Sequence, residues 1–351
     1  MAEPMPAGSK EGWWELESVG PATLAQVMEE VEQQVARGDV ARFQPLATGF
    51  DPLDDVLNGG LRRGELMIVG GPYGVGKTIF ALQVARNVVR YDERSSAMYV
   101  CYEHDRAHLM SRLLCLESAE ENHKGDALTL RRLAELALNT PNGVGLISRL
   151  RRMPRYATVV ETMASYASRL ALVKASGDTS TLDQIRQWVQ EMAAVGPQRL
   201  LLVVDYLQKI PVDVDTLQPE TEVTTFLTQG LKELAMSMGI QVIAIAASDR
   251  PGLKAKRMRL ADLRGSSALQ YEADIGLVLN NKHDIVSREH MIYNPSQAET
   301  MRSWVVMSVE KNRAGRNALD MEYLLDAAHF RMVSTGGFVR ERLVDEKVIL
   351  E

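Results

Sequence analysis

Short, continuous apolar runs alternate along this chain with longer stretches in which apolar residues recur at helical spacing. A continuous run of about four to eight apolar residues is typical of a strand that is buried on both faces of a sheet. Seven such runs lie at residues 65–71, 96–105, 169–176, 199–205, 240–248, 273–280 and 302–312. Helical stretches separate most of these runs, and this alternation predicts an α/β fold with a mostly parallel, twisted sheet flanked by helices.

The same pattern outlines the domain organisation. Residues 21–38 place their apolar side chains on one face between Pro21, an early helical position, and Gly38, a helix stop. This amphipathic helix must bury its apolar stripe, either on its own body or on a neighbouring subunit. Residues 118–170 predict a helical elaboration with a break at 139–145. The predicted divisions are an N-terminal tail with a linker helix, an α/β domain and a C-terminal tail, at residues 1–40, 41–335 and 336–351.

The stretch GGPYGVGKTIF, at residues 70–80, carries the first chemical signal. From Gly71 to Thr78 it has the G-x-x-x-x-G-K-T spacing of a P-loop, and it lies between a predicted strand and a predicted helix, as that motif requires. Glycines let the backbone direct its N–H groups at phosphate oxygens, and the helix dipole adds positive potential. We expect Lys77 to reach the β and γ phosphates of ATP, and the Thr78 hydroxyl to bind Mg²⁺. The residues expected around the phosphates are Gly71, Gly74, Val75, Gly76, Lys77, Thr78 and Ile79.

Two carboxylates end other predicted strands, where ligands gather in sheets of this kind. Asp205 follows five aliphatic residues and is predicted to hold Mg²⁺; the alternative is a helix cap or a turn residue. Glu103 ends the strand after the P-loop helix and is a candidate to deprotonate the water that attacks the γ phosphate. Its alternative is a first-turn acid that stabilises the helix at 105–116.

Composition narrows the class of protein. The 351 residues suit one large domain with appendages, and the net charge of −6 argues against a surface that binds nucleic acid broadly. A local basic site stays compatible with this charge, because screening limits electrostatic reach to about 8 Å. The two cysteines and six histidines show no zinc-ligand spacing. We expect a cytoplasmic protein without membrane segments, because no apolar run approaches the roughly 20 residues of a membrane span and the first residues lack a signal-peptide core.

Several segments together resemble the ATPase domain of DnaB-type replicative helicases, which belong to the RecA-like superfamily. They occur in the same order as in that family, over roughly residues 43–330, and include CYEHDRAHLMSRLL, LLLVVDYLQ, LADLRGSSALQYEADIGLVL and VEKNRAGR around the P-loop. The resemblance implies that Glu103 is the catalytic glutamate and that Lys311 and Arg313 reach the nucleotide of the adjacent subunit. An arginine finger from across an interface is worth about 10³- to 10⁵-fold in rate. Without the resemblance, Lys311 and Arg313 are equally well explained as a basic hairpin tip in solvent.

The resemblance also implies a hexameric ring with single-stranded DNA in its channel. One loop expected to face that channel is rich in basic residues, which would add salt-dependent affinity for phosphates. A solvated basic face is the alternative. The candidate DNA-binding residues are Arg250, Lys254, Lys256, Arg257, Arg259 and Arg264.

Two departures from the family pattern bear on function. Ala247 stands where DnaB-type proteins carry a glutamine thought to sense the γ phosphate, and about forty residues stand in place of the helical collar that recruits primase. Three functions therefore stay open: a DNA-translocating or unwinding ring ATPase, a RecA-, RadA- or KaiC-like ATPase that remodels an assembly, and a nucleotide-gated oligomeric scaffold. Partner proteins from replication, repair, mobile elements or defence are compatible with each.

Overall fold

The computed structural model describes residues 20–38, 40, 43–121, 125–195, 199–212, 220–248, 255–286 and 299–344. Its strands are β1 (Leu66–Gly70), β2 (Ser95–Cys101), β3 (Leu170–Lys174), β4 (Arg199–Asp205), β5 (Gln241–Ile245), β6 (Ile275–Asn281), β7 (Trp304–Asn312), β8 (Leu319–Asp326), β9 (Arg331–Met332) and β10 (Gly337–Phe338). Its helices are α1 (Leu24–Ala36), α2 (Leu53–Val56), α3 (Lys77–Tyr91), α4 (Arg106–Glu121), α5 (Leu130–Leu138), α6 (Leu146–Arg152), α7 (Pro154–Tyr166), α8 (Leu182–Ala194), α9 (Glu220–Met238), α10 (Ser266–Glu272) and α11 (Lys282–Ile285).

One twisted sheet organises the domain. Six strands pair in parallel in the order β3-β2-β4-β5-β1-β6, and β7, β8 and β10 continue the sheet in antiparallel fashion, with β9 paired to β8. All seven predicted strands are present, and the predicted α/β fold with a mostly parallel sheet is confirmed. Crossover helices return the chain to the same edge, so the carboxyl ends of β1, β2, β4 and β5 share one edge of the sheet.

Both faces of the sheet are covered by apolar side chains. In β1, Met67 and Val69 pack on the face that carries α3, whereas Leu66 and Ile68 pack on the face that carries α8 and α9. Burial on both faces explains why the parallel strands are continuous apolar runs.

The antiparallel strands after residue 318 are missing from the sequence prediction. In β8, the buried Met321 and Tyr323 alternate with the less buried Asp320 and Glu322, the period of a strand buried mainly on one face. β10 pairs with β8, and Leu343 bridges to Val286, so residues 336–344 continue the domain beyond the predicted boundary.

The helical elaboration forms a small core of its own. Helices α5, α6 and α7 pack against α4, and the predicted break at 139–145 separates α5 from α6. Helix α7 also contacts the P-loop helix α3, so the elaboration lies on the face of the sheet that carries α3.

The linker helix α1 is shorter than predicted and makes no apolar contact with the described part of the domain. Thr23 caps it in a reciprocal arrangement with Gln26, so Pro21 precedes the helix and is not part of its first turn. None of its residues is buried, and Leu24 and Met28 are 75% and 64% exposed. Of the two predicted ways to bury its stripe, packing on its own body does not occur among the described residues.

Candidate nucleotide-binding site

The P-loop connects β1 to α3, as predicted. Gly71 has φ 144°, and a Cβ atom there would lie 2.3 Å from the Leu279 carbonyl oxygen, so the loop can pass this strand only with glycine. Gly76 has φ 99° and precedes the first helical residue, Lys77. The loop therefore presents its backbone N–H groups at the helix N-terminus, which is the arrangement that binds phosphate.

The P-loop opens onto a cavity of about 260 Å³. The cavity is bounded by the P-loop, by the chain that follows β2, β4 and β5, and by two side chains from elsewhere, Arg112 and Phe330. The predicted residues that line it are Gly74, Gly76, Lys77, Thr78, Ile79, Glu103 and Asp205. Gly71 and Val75 lie beneath the loop, where the Val75 side chain packs into the core.

Asp205 is almost fully buried at the end of β4. Its carboxylate accepts a hydrogen bond from the Tyr99 hydroxyl at 2.8 Å and another from Thr78. Burial raises the pKa of Asp205, and those two hydrogen bonds partly oppose the rise. A divalent cation would offset the same burial cost, and a hydroxyl beside a carboxylate is a donor set that suits Mg²⁺. The Asp205 and Thr78 side chains therefore fit the predicted ion.

Lys77 is held inside the loop. Its ammonium group donates to the carbonyl oxygens of Gly71 and Pro72 at 2.7 and 2.8 Å. Burial lowers the pKa of Lys77 to about 8, although the carboxylates of Asp205 and Glu103 oppose that shift. The charge lies at the mouth of the cavity, where phosphate oxygens would replace the two carbonyl contacts.

Glu103 follows β2 and is exposed to the cavity. The helix α4 begins at Arg106, and Asp105, not Glu103, accepts the hydrogen bond from the His108 backbone N–H at 2.8 Å. Because Asp105 performs the helix-capping role, the alternative explanation of Glu103 as a first-turn acid loses its support.

Arg112, on α4, is the site residue that the sequence analysis missed. Its side chain lines the cavity, stacks on Phe330 with 4.9 Å between the guanidinium carbon and the ring centre, and donates to His104 and His108. It forms no salt bridge with a described carboxylate. One of several arginines in Arg- and Leu-rich helices, it carries a local signal only in its spacing of four residues from His108, which places the two on one helix face.

Lys311 and Arg313 lie at the end of β7, and neither lines the cavity of its own chain. Lys311 donates to the carbonyl oxygens of Gln270 and Tyr271, while Arg313 donates to Tyr271 and pairs with Asp274 at 3.2 Å. Arg313 is half exposed, with 50% of its side chain accessible. The structure thus separates these cations from the P-loop residues of the same chain.

The predicted DNA-binding loop divides into three parts. Arg250 and Lys254 lie outside the described residues, whereas Lys256 and Arg264 are exposed. Arg259 is partly exposed and pairs with Glu310 at 3.1 Å.

Arg257 must be removed from that predicted set. Its side chain is 4% exposed, and its guanidinium group contacts the Asp320 carboxylate and the Ser308 hydroxyl on the antiparallel strands. A guanidinium already buried against a carboxylate is not available to a DNA phosphate. The prediction failed because it did not include β8, which supplies Asp320.

Ala247 lines the cavity, as the γ-phosphate-sensing position should, but it has no polar side chain. Its backbone N–H donates to the Gln208 side chain at 3.0 Å, and the Gln208 amide donates to the Arg264 carbonyl oxygen at 3.2 Å. Gln208 therefore connects the cavity wall to the end of the basic loop, a contact that only the tertiary structure shows.

A P-loop between a parallel strand and its helix, with an aspartate and a glutamate at the ends of nearby strands, defines a P-loop NTPase of the RecA-like class. The model of the DnaB-like helicase C terminal domain family matches residues 45–332, and the chain belongs to this family.

Individual relatives agree with this assignment. The chain is 27% identical over 235 residues to the replicative DNA helicase DnaB of Treponema pallidum (strain Nichols), covering 67% of this chain and 48% of the relative. It is 26% identical over 310 residues to the DnaB of Mycoplasma pneumoniae, covering 87% of this chain and 60% of the relative. This chain therefore spans about half to three-fifths of the length of these two curated relatives.

Solved structures show the same fold. A DnaB-like replicative helicase, whose structure was solved together with its interactions with primase, superposes with a TM-score of 0.63 at 19% identity, over 90% of this chain and 67% of that chain. A solved structure of an isolated ATPase domain superposes with a TM-score of 0.68 at 18% identity, over 90% of this chain and 99% of that chain. No helix in the described part of the chain has the length and apolar character that a bilayer crossing requires.

Proposed function

We propose that this chain hydrolyses ATP at the interfaces of a ring of identical subunits, and that hydrolysis moves the ring along single-stranded DNA. The observation that carries the proposal is the division of the catalytic groups between two places. The P-loop, Asp205 and Glu103 meet in one cavity, while Lys311 and Arg313 lie outside it on the surface of the same chain. Family membership over residues 45–332 supports an arrangement in which a neighbour supplies the second group.

Within the cavity, each group has a distinct task. The P-loop N–H groups and Lys77 bind the phosphates, and Thr78 and Asp205 would hold Mg²⁺, which supplies charge stabilisation to the transferring phosphoryl group. Glu103 orients a water molecule and accepts its proton. Arg313 from the adjacent subunit stabilises the charge that develops on the γ phosphate, and Lys311 assists it.

Ring assembly gives the linker helix a surface to cover. Its apolar stripe is exposed on the isolated chain, with Leu24 and Met28 the largest accessible side chains, and exposed apolar faces of this kind mark interaction sites. We propose that α1 packs on the neighbouring subunit, which leaves the second predicted alternative.

The basic loop is the proposed DNA contact. Lys256 and Arg264 are its exposed described cations, Arg259 is partly exposed, and six copies around a ring would create a positive lining despite the acidic chain. Gln208 links this loop to Ala247 at the cavity wall, and so provides a route from nucleotide to DNA without a glutamine at position 247.

Mixed assemblies test the proposal. Lys77→Ala and Arg313→Ala chains should each be inactive alone. Mixed together, some interfaces combine an intact P-loop with an intact arginine, so ATP turnover should reappear. Turnover is measured with and without single-stranded DNA while electron microscopy reports the assembly state. An isolated protomer with full activity, or mixtures that show neither recovery nor poisoning of wild-type rings, would contradict the proposal.

A second function is favoured by one observation, the apolar side chain of Ala247 at the phosphate-sensing position. An ATPase that remodels a nucleoprotein assembly needs hydrolysis but not processive unwinding. A strand-displacement assay separates the two, because DNA-stimulated turnover without displacement supports remodelling.

A further inference from the structure

We infer that His104 and His108 are positioning residues: their unprotonated Nε2 atoms hold the Arg112 guanidinium group against the nucleotide cavity. The inference rests on the proposed hydrolysis of ATP in that cavity, and it adds a requirement for neutral histidines to the reaction.

The geometry places both rings on one guanidinium group. His108 and Arg112 lie one turn apart on α4, and His104 lies in the segment between β2 and that helix. Arg112 Nε donates to His108 Nε2 at 3.0 Å, and Arg112 Nη2 lies 2.9 Å from His104 Nε2. The two rings stack with 4.7 Å between their centres. Rotation of the arginine side chain would break both hydrogen bonds.

The chemistry of arginine fixes the protonation state of both histidines. A guanidinium group has N–H donors and no acceptor, so each Nε2 that contacts it must carry a lone pair. The proton of each neutral ring then lies on Nδ1. A protonated ring would turn an N–H toward the guanidinium group, replacing a hydrogen bond with repulsion between two cations.

The surrounding charges favour the neutral rings. Burial lowers the pKa of His104 and of His108, and the Arg112 charge lowers both further, while Asp105 opposes the shift at both rings and Glu103 opposes it at His104. Because each pKa lies below its ordinary value, the contacts are present at neutral pH and are lost as the pH falls through the lowered values.

Arg112 is held without being neutralised. Tyr99, Cys101, Asp205 and Glu103 are the titratable groups that face it beyond the histidines, and none forms a salt bridge with it among the described residues. Two neutral acceptors therefore orient a full positive charge and leave guanidinium N–H groups for a ligand. The triphosphate is the anion that this cavity is built to bind, and planar guanidinium groups suit phosphate oxygens.

The pH profile of kcat/KM for ATP is the primary test, since it reports groups of the free enzyme. The wild-type value should fall below about pH 6.5 as the rings protonate. The His104→Gln/His108→Gln variant keeps acceptor oxygens that do not titrate, so this acidic loss should shrink. His283→Gln, which alters a histidine on α11 outside the cavity, should keep the wild-type profile. An identical acidic loss in the double glutamine variant would overturn the inference.

Rescue separates positioning from a general structural role. His104→Leu/His108→Leu removes both acceptors and should lower turnover by about 10-fold at pH 7.5, given two lost hydrogen bonds of about 1 kcal/mol each. The glutamine pair should recover most of that loss. In an Arg112→Ala background the leucine pair should have no further effect, because there is no guanidinium group left to hold. A full additional loss in that background would contradict the inference.

A measurement without turnover distinguishes failure of the inference from failure of the proposed function. Proton NMR titration of the folded wild-type protein should give pKa values for His104 and His108 below about 6.5, the ordinary histidine value. Both should rise in Arg112→Ala. Absence of ATP hydrolysis with these shifts present would reject the proposed function and keep the arginine–histidine contact, whereas unshifted values would reject the contact itself.

Discussion

Two arginines on the packed helices α3 and α4 have opposite environments. On α3, Arg86 is completely buried and contacts the carboxylates of Glu117 and Glu120 from α4. On α4, Arg112 is partly buried at the cavity, and its hydrogen-bond partners are two histidines rather than carboxylates.

The difference teaches how this fold separates structural from functional charge. A buried cation with carboxylate partners is satisfied within the chain, and its removal leaves an uncompensated charge. A cation that neutral groups orient toward a cavity, as with Arg112 and the P-loop Lys77, keeps its charge for a ligand. Mutations should therefore affect stability at the first kind of site and turnover at the second.

The largest expected effect is at Lys77. Lys77→Ala should lower ATP turnover by about 10³-fold or more, at least about 4 kcal/mol in the barrier, because a preorganised phosphate contact is lost. Its thermal unfolding midpoint should stay close to that of the wild type, since the lysine contacts two carbonyl oxygens and no carboxylate. A large drop in the midpoint would place Lys77 in the structural class and break the comparison.

Arg86→Leu should act on stability instead. It leaves the buried Glu117 carboxylate with only Arg90 as a cation partner among the described residues, and we expect a loss of about 3–5 kcal/mol in the free energy of unfolding. Denaturant titration measures the change. Adding Glu117→Gln should recover part of it, because a neutral amide costs less to bury. A loss below about 1 kcal/mol would show that the pair contributes little.

Arg112→Ala should lower kcat by about 10²-fold, or about 3 kcal/mol, while the free energy of unfolding changes by less than about 1 kcal/mol. Steady-state kinetics and denaturant titration on the same preparation give both values. The opposite result, lost stability with unchanged kcat, would make Arg112 equivalent to Arg86.

The smallest effect is expected at an ion pair in solvent. Arg131 contacts Glu135 at 3.1 Å on α5, and the arginine side chain is 90% exposed. Arg131→Ala should change the free energy of unfolding by no more than about 0.5 kcal/mol and leave turnover unaltered. It is the matched control for the Arg86 substitution, because both remove an arginine that pairs with glutamate on a helix.

The sequence predicted the parallel half of the sheet better than the antiparallel half. Strands buried on both faces are continuous apolar runs, which a reader of the chain detects directly. The strand β8 alternates buried and partly buried residues, and its apolar signal is therefore weaker. Missing β8 had a chemical consequence, because Asp320 on that strand neutralises Arg257 and removes it from the candidate DNA contacts.

For the candidate site, the sequence by itself determined the P-loop, since its glycine, lysine and threonine spacing is local and its phosphate chemistry follows from adjacent backbone groups. It also placed Glu103 and Asp205 at strand ends, where parallel topology gathers ligands. The tertiary structure decided which cations face the cavity and which are already paired, as with Arg112 and Arg257. Those partners come from distant segments, and whether a charge is buried, balanced or open to a ligand depends on the packing around it and not on its neighbours along the chain.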